Sequence, residues 1–137
     1  TCRFDFTSSF GRTGPVSVTL PPGYGHAKQQ DRKYPVIYML HGYGQGPNDL
    51  EAAIVFLRNW MNNPIDGAAS RLPKAILVYV DGRCRVTNGK AECIRGTFFG
   101  DSVRESGAQD ESWWLELMSH VEKNYRTMGD SESEWTE

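Results

Sequence analysis

Two uncharged apolar runs constrain this chain more than any other feature. The first, Pro35-Val36-Ile37-Tyr38-Met39-Leu40, is six residues long and ends abruptly on His41-Gly42-Tyr43-Gly44. The second, Ala75-Ile76-Leu77-Val78-Tyr79-Val80, ends on Asp81-Gly82. Runs of this length, rich in β-branched and aromatic residues and closed by glycine, read as strands buried on both faces. Between them, Pro47-Asn48-Asp49 announces a helix, with Asn48 as the expected N-cap and Glu51 as its capping-box partner. Leu50, Ala53, Ile54, Leu57, Trp60 and Met61 then recur at helical spacing, and Pro64 closes the element. Buried strands joined by an amphipathic helix predict a parallel β-α-β unit with the first run as a central strand.

The remaining elements fit around that unit. Phe4-Asp5-Phe6 and Val16-Ser17-Val18-Thr19-Leu20 alternate apolar and polar residues, which predicts edge or half-buried strands. A second helix is predicted from about Ser112 to Tyr125, with Trp114, Leu117, Met118, Val121 and Tyr125 on one face. Its acidic start (Asp110, Glu111) and basic end (Lys123, Arg126) suit the helix dipole. A parallel sheet needs cover on both faces, and two helices supply little of it. The pattern therefore predicts the front part of a larger α/β domain.

Length fits one domain, and a composition of 39% hydrophobic and 23% charged residues argues against disorder. With a net charge of −2 and scattered basic residues, no nucleic-acid partner is expected. No run approaches a bilayer span, so no membrane partner is expected either. The end of the chain, Asp130 to Glu137, carries four carboxylates and no base. Residues 129–137 read as an acidic Ser/Glu-rich tail or linker, in which Trp135 could dock locally.

Three cysteines cannot all pair within the chain. Cys84 and Cys93 flank a segment containing Asn88-Gly89, a strong tight-turn signal, so a hairpin bringing the two thiols together is expected. A Cys84–Cys93 disulfide would imply an oxidising compartment, hence a secreted or periplasmic protein. Two unpaired loop thiols are the alternative, and Cys2 is left over in either case. No histidine, cysteine and carboxylate set has ligand spacing, so neither a metal nor a cofactor is expected.

Ligands of open α/β sheets bind beyond the carboxyl ends of the strands. Both runs deliver their loops there: His41-Gly42-Tyr43-Gly44-Gln45-Gly46 and Asp81-Gly82-Arg83. Alternating glycines allow a backbone N–H to be aimed at a developing oxyanion, the first candidate being Tyr43, with Gly44 and Gln45 as neighbours. A plain glycine-rich connection is the competing reading. His41 is expected to support the loop, with Gly42, through ring hydrogen bonds. His120 is expected to be a solvated helix residue, and His26 lies in a polar loop. Asp81 and Arg83 either line the pocket or form a turn ion pair. Of the two neighbouring tryptophans, Trp114 fits the core stripe and Trp113 is the surface candidate for contacting substrate.

Five collinear segments carry a family resemblance: "VSVTLPPGY", "KYPVIYMLHGYGQ", "ILVYVDGRCR", "CIRGTFFGDS" and "WWLELMSHVEKNYR". From about Val16 to Arg126 the chain resembles the N-terminal half of the esterase family that includes feruloyl esterases, esterase D and the mycolyltransferases. The resemblance implies an α/β-hydrolase fold, with residues 1–128 as the N-terminal portion of the domain. It implies ester hydrolysis, with feruloyl and acyl-sugar esters among the fitting substrates. In that family an oxyanion loop, here His41 to Gln45, serves a nucleophilic serine on a later elbow, followed by the triad acid and histidine. No Gly-x-Ser-x-Gly occurs in these 137 residues, so no catalytic triad member is expected in this chain.

The expected partner is therefore the C-terminal remainder of the hydrolase, together with a small-molecule ester. A non-catalytic binding or assembly module built on the same half-fold is the alternative function. Phe98-Phe99-Gly100-Asp101-Ser102-Val103 superficially resembles the Gly-Asp-Ser block of another hydrolase group. That group needs a late Asp-x-x-His, which the surroundings of His120 do not provide, so Ser102 reads as a loop serine.

Overall fold

The computed structural model describes residues 1–62, 72–87, 89–91, 93, 96–103 and 109–129. The acidic tail from Asp130, Trp135 within it, and Pro64 lie outside the described residues. Strands β1 (Cys2–Thr7), β2 (Thr13–Thr19), β3 (Val36–Met39) and β4 (Ile76–Val80) form one sheet in the order β1-β2-β4-β3. β1 and β4 both run antiparallel to β2, and β3 runs parallel to β4 with Val36 opposite Ile76 and Met39 opposite Tyr79. Helix α1 (Pro47–Asn62) makes the crossover from β3 to β4, so the expected parallel unit is present. The sheet is nevertheless mixed, because the chain enters it through the β1–β2 hairpin.

The two helices divide the sheet faces between them. Successive side chains of a strand point to opposite faces. Ile76, Val78 and Val80 accordingly join Val16 and Val18 against Trp113, Leu117 and Val121 of α2 (Asp110–Asn124). Ala75, Leu77 and Tyr79 pack against Ile54 and Met61 of α1. The alternation in β2 predicts a half-buried strand, yet Val16, Ser17, Val18 and Thr19 are all buried. β2 lies between β1 and β4, and its polar positions share the covered face of Leu77 and Tyr79.

The first apolar run does not form a central strand among the described residues. β3 ends the sheet order, and Ile37 and Leu40 are 46% and 40% exposed. The chain after α2 turns back toward this open side. Tyr34 and Thr127 form a parallel bridge, with Tyr34 N–H donating to Arg126 O at 2.9 Å and Met128 N–H donating to Tyr34 O at 3.0 Å.

Both helices start earlier than the spacing suggests. α1 opens at Pro47, so Gly46 takes the N-cap position, and the Asp49 carboxylate accepts the Gly46 N–H at 2.7 Å. Proline at the first helical position and an acid at the third, reaching back to the Gly46 N–H, supply one half of a capping box, displaced by two residues from the expected one. Trp60, expected in the α1 core stripe, is 41% exposed, while Met61 beside it is 2% exposed.

Candidate active-site pocket

β3 and β4 are parallel and adjacent, so their C-terminal loops open side by side. The imidazole of His41 joins them. Its Nε2 accepts the N–H of Gly82 at 3.0 Å, which leaves the proton on Nδ1 to bond Gly42 O, also at 3.0 Å. Each ring nitrogen is thus engaged with backbone.

The glycine loop is held at its ends and open in its middle. The side-chain oxygen of Gln45 accepts the Gly42 N–H at 2.9 Å, and the Gln45 N–H closes a turn on Gly42 O at 3.1 Å. Gln45, expected among the oxyanion donors, therefore has its amide committed to the turn. Among the described residues no acceptor takes the N–H of Tyr43 or Gly44. Gly44 has φ +76°, a left-handed conformation that other residues adopt only with strain.

Gly82 is the second fixed point. Its carbonyl accepts from the Thr97 hydroxyl at 2.9 Å and from Thr97 N–H at 3.0 Å. Thr97 Oγ1 in turn accepts the Phe99 N–H at 3.2 Å. The Phe99 ring sits edge-on to His41, with centroids 5.2 Å apart, and lies directly over Gly82. A Cβ on Gly82 would stand 2.6 Å from that ring, so only glycine fits beneath it.

The arrangement encloses a pocket of ≈ 550 Å³. One wall is the loop from His41 to Gln45; the other comprises Gly82, Arg83, Cys84, Gly96, Phe98 and Phe99. Cys84 is disulfide-bonded to Cys93, with Cα atoms 5.3 Å apart, as expected from the turn between them. That turn joins β5 (Val86–Thr87) to β6 (Lys90–Ala91), with Gly89 at φ +75°. Cys2 is a free, exposed cysteine.

Asp81 and Arg83 form an ion pair. Asp81 Oδ1 accepts from Arg83 N–H at 3.0 Å and Nε at 2.9 Å, and Oδ2 accepts from Nη2 at 2.7 Å. Burial opposes ionisation of Asp81, but the hydrogen bonds from Arg83 and its charge outweigh it and lower the pKa. Arg83 lines the pocket and also, with Asp81, a second groove beside Asp5, Thr13, Gly14 and Pro15; Asp81 reaches only the second.

Three expectations are corrected. Trp113 is no surface residue: it is 2% exposed, donates from Nε1 to Phe6 O at 3.2 Å, and stands edge-on to the Phe6 ring. It lies one and two i+4 steps before Leu117 and Val121, and this row of α2 faces the sheet. Trp114 is the half-buried neighbour, packed edge-on against Tyr38. His120 is not a freely solvated residue; its ring packs at 5.7 Å on Phe4 and 5.2 Å on Phe6. His26 caps the 3-10 turn Ala27–Gln29 by accepting the Lys28 N–H.

Phe98 and Phe99 did not stand out as pocket residues from the sequence. Both adopt left-handed backbone, at φ +52° and +56°, a conformation that costs of order 1–3 kcal/mol for each non-glycine residue. The available signal was two adjacent phenylalanines between Gly96 and Gly100, just after a cysteine.

Residues 7–133 match the family model described as "Putative esterase". A solved structure described as a ferulic acid esterase superposes on 94% of this chain with a TM-score of 0.63 and 19% sequence identity. At that identity the likeness is one of fold, and the chain spans 46% of the length of that structure's chain. The mixed four-stranded sheet with a helix on each face fits the N-terminal part of an α/β-hydrolase. The extent of the family match, over nearly the whole sequence, makes the assignment: the chain belongs to the "Putative esterase" family.

Proposed function

We propose that this chain supplies the oxyanion-stabilising half of a carboxylic ester hydrolase. The observation that carries the reading is the glycine loop. Gly42 and Gln45 are tied to each other, while among the described residues no acceptor takes the amides of Tyr43 and Gly44 beside the pocket. Backbone N–H groups fixed in advance stabilise a developing oxyanion without reorganising during the reaction. His41 holds the loop to Gly82 and thereby sets the distance between the two pocket walls.

The reaction is transfer of an acyl group to water. A serine oxygen attacks the ester carbonyl, the tetrahedral oxyanion rests on the Tyr43 and Gly44 amides, and collapse expels the alcohol. Water then releases the acid. The serine, its acid and its histidine come from a polypeptide segment outside these 137 residues, which contain no Gly-x-Ser-x-Gly. The open side of β3, where Thr127 already bridges to Tyr34 in parallel, is where that segment enters the sheet. Feruloyl and acyl-sugar esters are the substrate class proposed by family likeness. The Cys84–Cys93 disulfide supports a secreted or periplasmic setting. Among the described residues no helix is long and apolar enough to cross a membrane.

Hydrolysis of p-nitrophenyl acetate tests the reading. The purified chain alone is expected to be inactive, and the assembly with its Gly-x-Ser-x-Gly partner, identified by denaturing mass spectrometry, is expected to be active. Tyr43→Pro, which removes one amide donor, is expected to slow the assembly by on the order of 10²–10³ with its fold retained. An unchanged rate would reject the oxyanion role. Turnover by the lone chain that Ser102→Ala abolishes would reject the division of the site. An assembly that forms and has no activity would favour a binding module.

A further inference from the structure

The β5–β6 hairpin beside the pocket is too small to hold its own shape. Each strand is two residues long, Val86 is 69% exposed, and Lys90 and Ala91 are exposed as well. A two-stranded hairpin this short is marginal in water. Two attachments at its base fix it instead. Arg85 ties it to the core: Nη1 donates to Thr13 O at the start of β2, and the guanidinium lies over the ring of the buried Trp113 in α2, 5.6 Å from its centroid. The same guanidinium fills the space beside Gly14, where a Cβ would collide with it. A charge-assisted hydrogen bond and a cation over an aromatic face both favour this seat.

The second attachment is the Cys84–Cys93 disulfide, and it lies inside a longer closed loop. Gly82 and Thr97 are 15 positions apart and meet through the two hydrogen bonds that Thr97 donates to Gly82 O. The disulfide spans nine of those positions. Only about six are then left to order when Thr97 closes on Gly82, and loop-closure entropy favours the shorter loop by roughly 4-fold. That closure matters to the pocket. The Gly82 N–H donates to His41 Nε2 at 3.0 Å, and Thr97 Oγ1 accepts the N–H of Phe99, whose ring packs edge-on against His41. A continuous path of contacts therefore runs from the β2–α2 core through Arg85, the disulfide, Thr97 and Gly82 to the imidazole that holds the glycine loop.

Resting on the ester-hydrolase reading above for its catalytic meaning, we propose that Arg85 and the Cys84–Cys93 disulfide are positioning residues for the oxyanion loop. Arg85 anchors the hairpin, and the disulfide passes that anchorage to Gly82 and so to His41. Neither acts on the reacting atoms; both act through the imidazole.

Amide hydrogen exchange of the intact chain, followed by NMR, tests the brace without turnover. The Gly82 N–H reports the bond to His41, and the Val78 N–H, in the middle of β4, reports opening of the whole sheet. In Cys84→Ser/Cys93→Ser the Gly82 amide is expected to exchange roughly 4-fold faster. Arg85→Met, which leaves the disulfide intact, is expected to act in the same direction and carries the test if the cysteine variant does not fold. Arg85→Lys keeps a donor for Thr13 O and is expected to restore part of the protection. Because the two attachments act in series, adding Arg85→Met to the cysteine pair is expected to bring no further acceleration. An unchanged Gly82 rate, equal acceleration at Gly82 and Val78, or additive effects of the two attachments would each overturn the proposal. An assembly that never hydrolyses esters would instead reject the hydrolase reading, while the exchange pattern would still show the brace.

Discussion

β3 and β4 come from apolar runs of equal length and similar composition, yet they live in different surroundings. Every residue of β4 is buried, with β2 on one side, β3 on the other and a helix against each face. Among the described residues β3 has a hydrogen-bonded neighbour strand on one side only, and its residues are half-buried or exposed. An apolar run therefore reports that a strand is built for burial; it does not say which neighbours provide it. The bridge from Thr127 to Tyr34 shows the missing side of β3 beginning to be filled by the chain itself. The sites follow the same division. β4 delivers Gly82, fixed through both its N–H and its carbonyl, and β3 delivers a loop with two amides that no acceptor among the described residues takes.

The largest expected effect breaks the comparison at its strongest point. Leu77→Ala in β4, at 1% exposure, is expected to destabilise the chain by about 2–5 kcal/mol in urea unfolding, whereas Ile37→Ala in β3 should cost under ~1 kcal/mol. Equal costs would mean that β3 is covered in solution.

Gly82→Ala comes next, because its Cβ would meet the Phe99 ring at 2.6 Å. Overpacking of this kind costs about 1–3 kcal/mol. The displaced ring should also shift the His41 resonances in an NMR spectrum, and unshifted resonances would show that Phe99 can yield without moving the loop.

The Asp81–Arg83 pair gives a smaller effect with a defined pH dependence. The folded state lowers the Asp81 pKa, so its stabilisation is fully present above the unfolded aspartate value. It is lost as pH falls through the lower folded value. Asp81→Asn is expected to cost about 1 kcal/mol at pH 7, since the Arg83 side chain is 62% exposed and water screens the pair. The difference between variant and wild type should fade toward strongly acidic pH. A pH-independent difference would mean that packing, not charge, is what the carboxylate contributes.

The smallest effect is spectroscopic. Burial pushes the Tyr79 phenol up to about 12 on β4. Burial, assisted by the charge of Glu122, does the same to Tyr38 on β3. Their neutral forms stabilise the fold below the ordinary tyrosine range, and this contribution is lost as pH rises toward 12. Absorbance titration should lose its late phase in Tyr79→Phe and Tyr38→Phe. If Tyr38→Phe leaves that phase intact, the open side of β3 is wetter than its packing against Trp114 implies.

Much of the site was legible in the sequence because it depends on local chemistry. Glycines after an apolar strand mark a loop able to present amides, and Asn88-Gly89 between two cysteines marks a turn that can bring thiols together. His41 directly follows the strand, which keeps its ring within reach of the loop backbone. Gln45 reads as a donor from the loop pattern, but its amide is consumed by a turn that runs through the left-handed Gly44. Adjacent residues on a helix differ by about 100°, so a small shift in helix phase exchanges the buried and exposed members of a pair such as Trp113 and Trp114.

The sequence by itself determined the β-α-β unit, the edge at which its loops open, the disulfide turn and the family. These follow from short-range periodicity, turn chemistry and motif order, all of which are written along the chain. Only the tertiary structure decided that the first apolar run lies at the end of the sheet order, that His41 bonds Gly82, and that Phe98 faces Tyr43 across a pocket. Each of those joins residues about forty or more positions apart. Such contacts depend on strand order and on backbone conformations that no local pattern specifies.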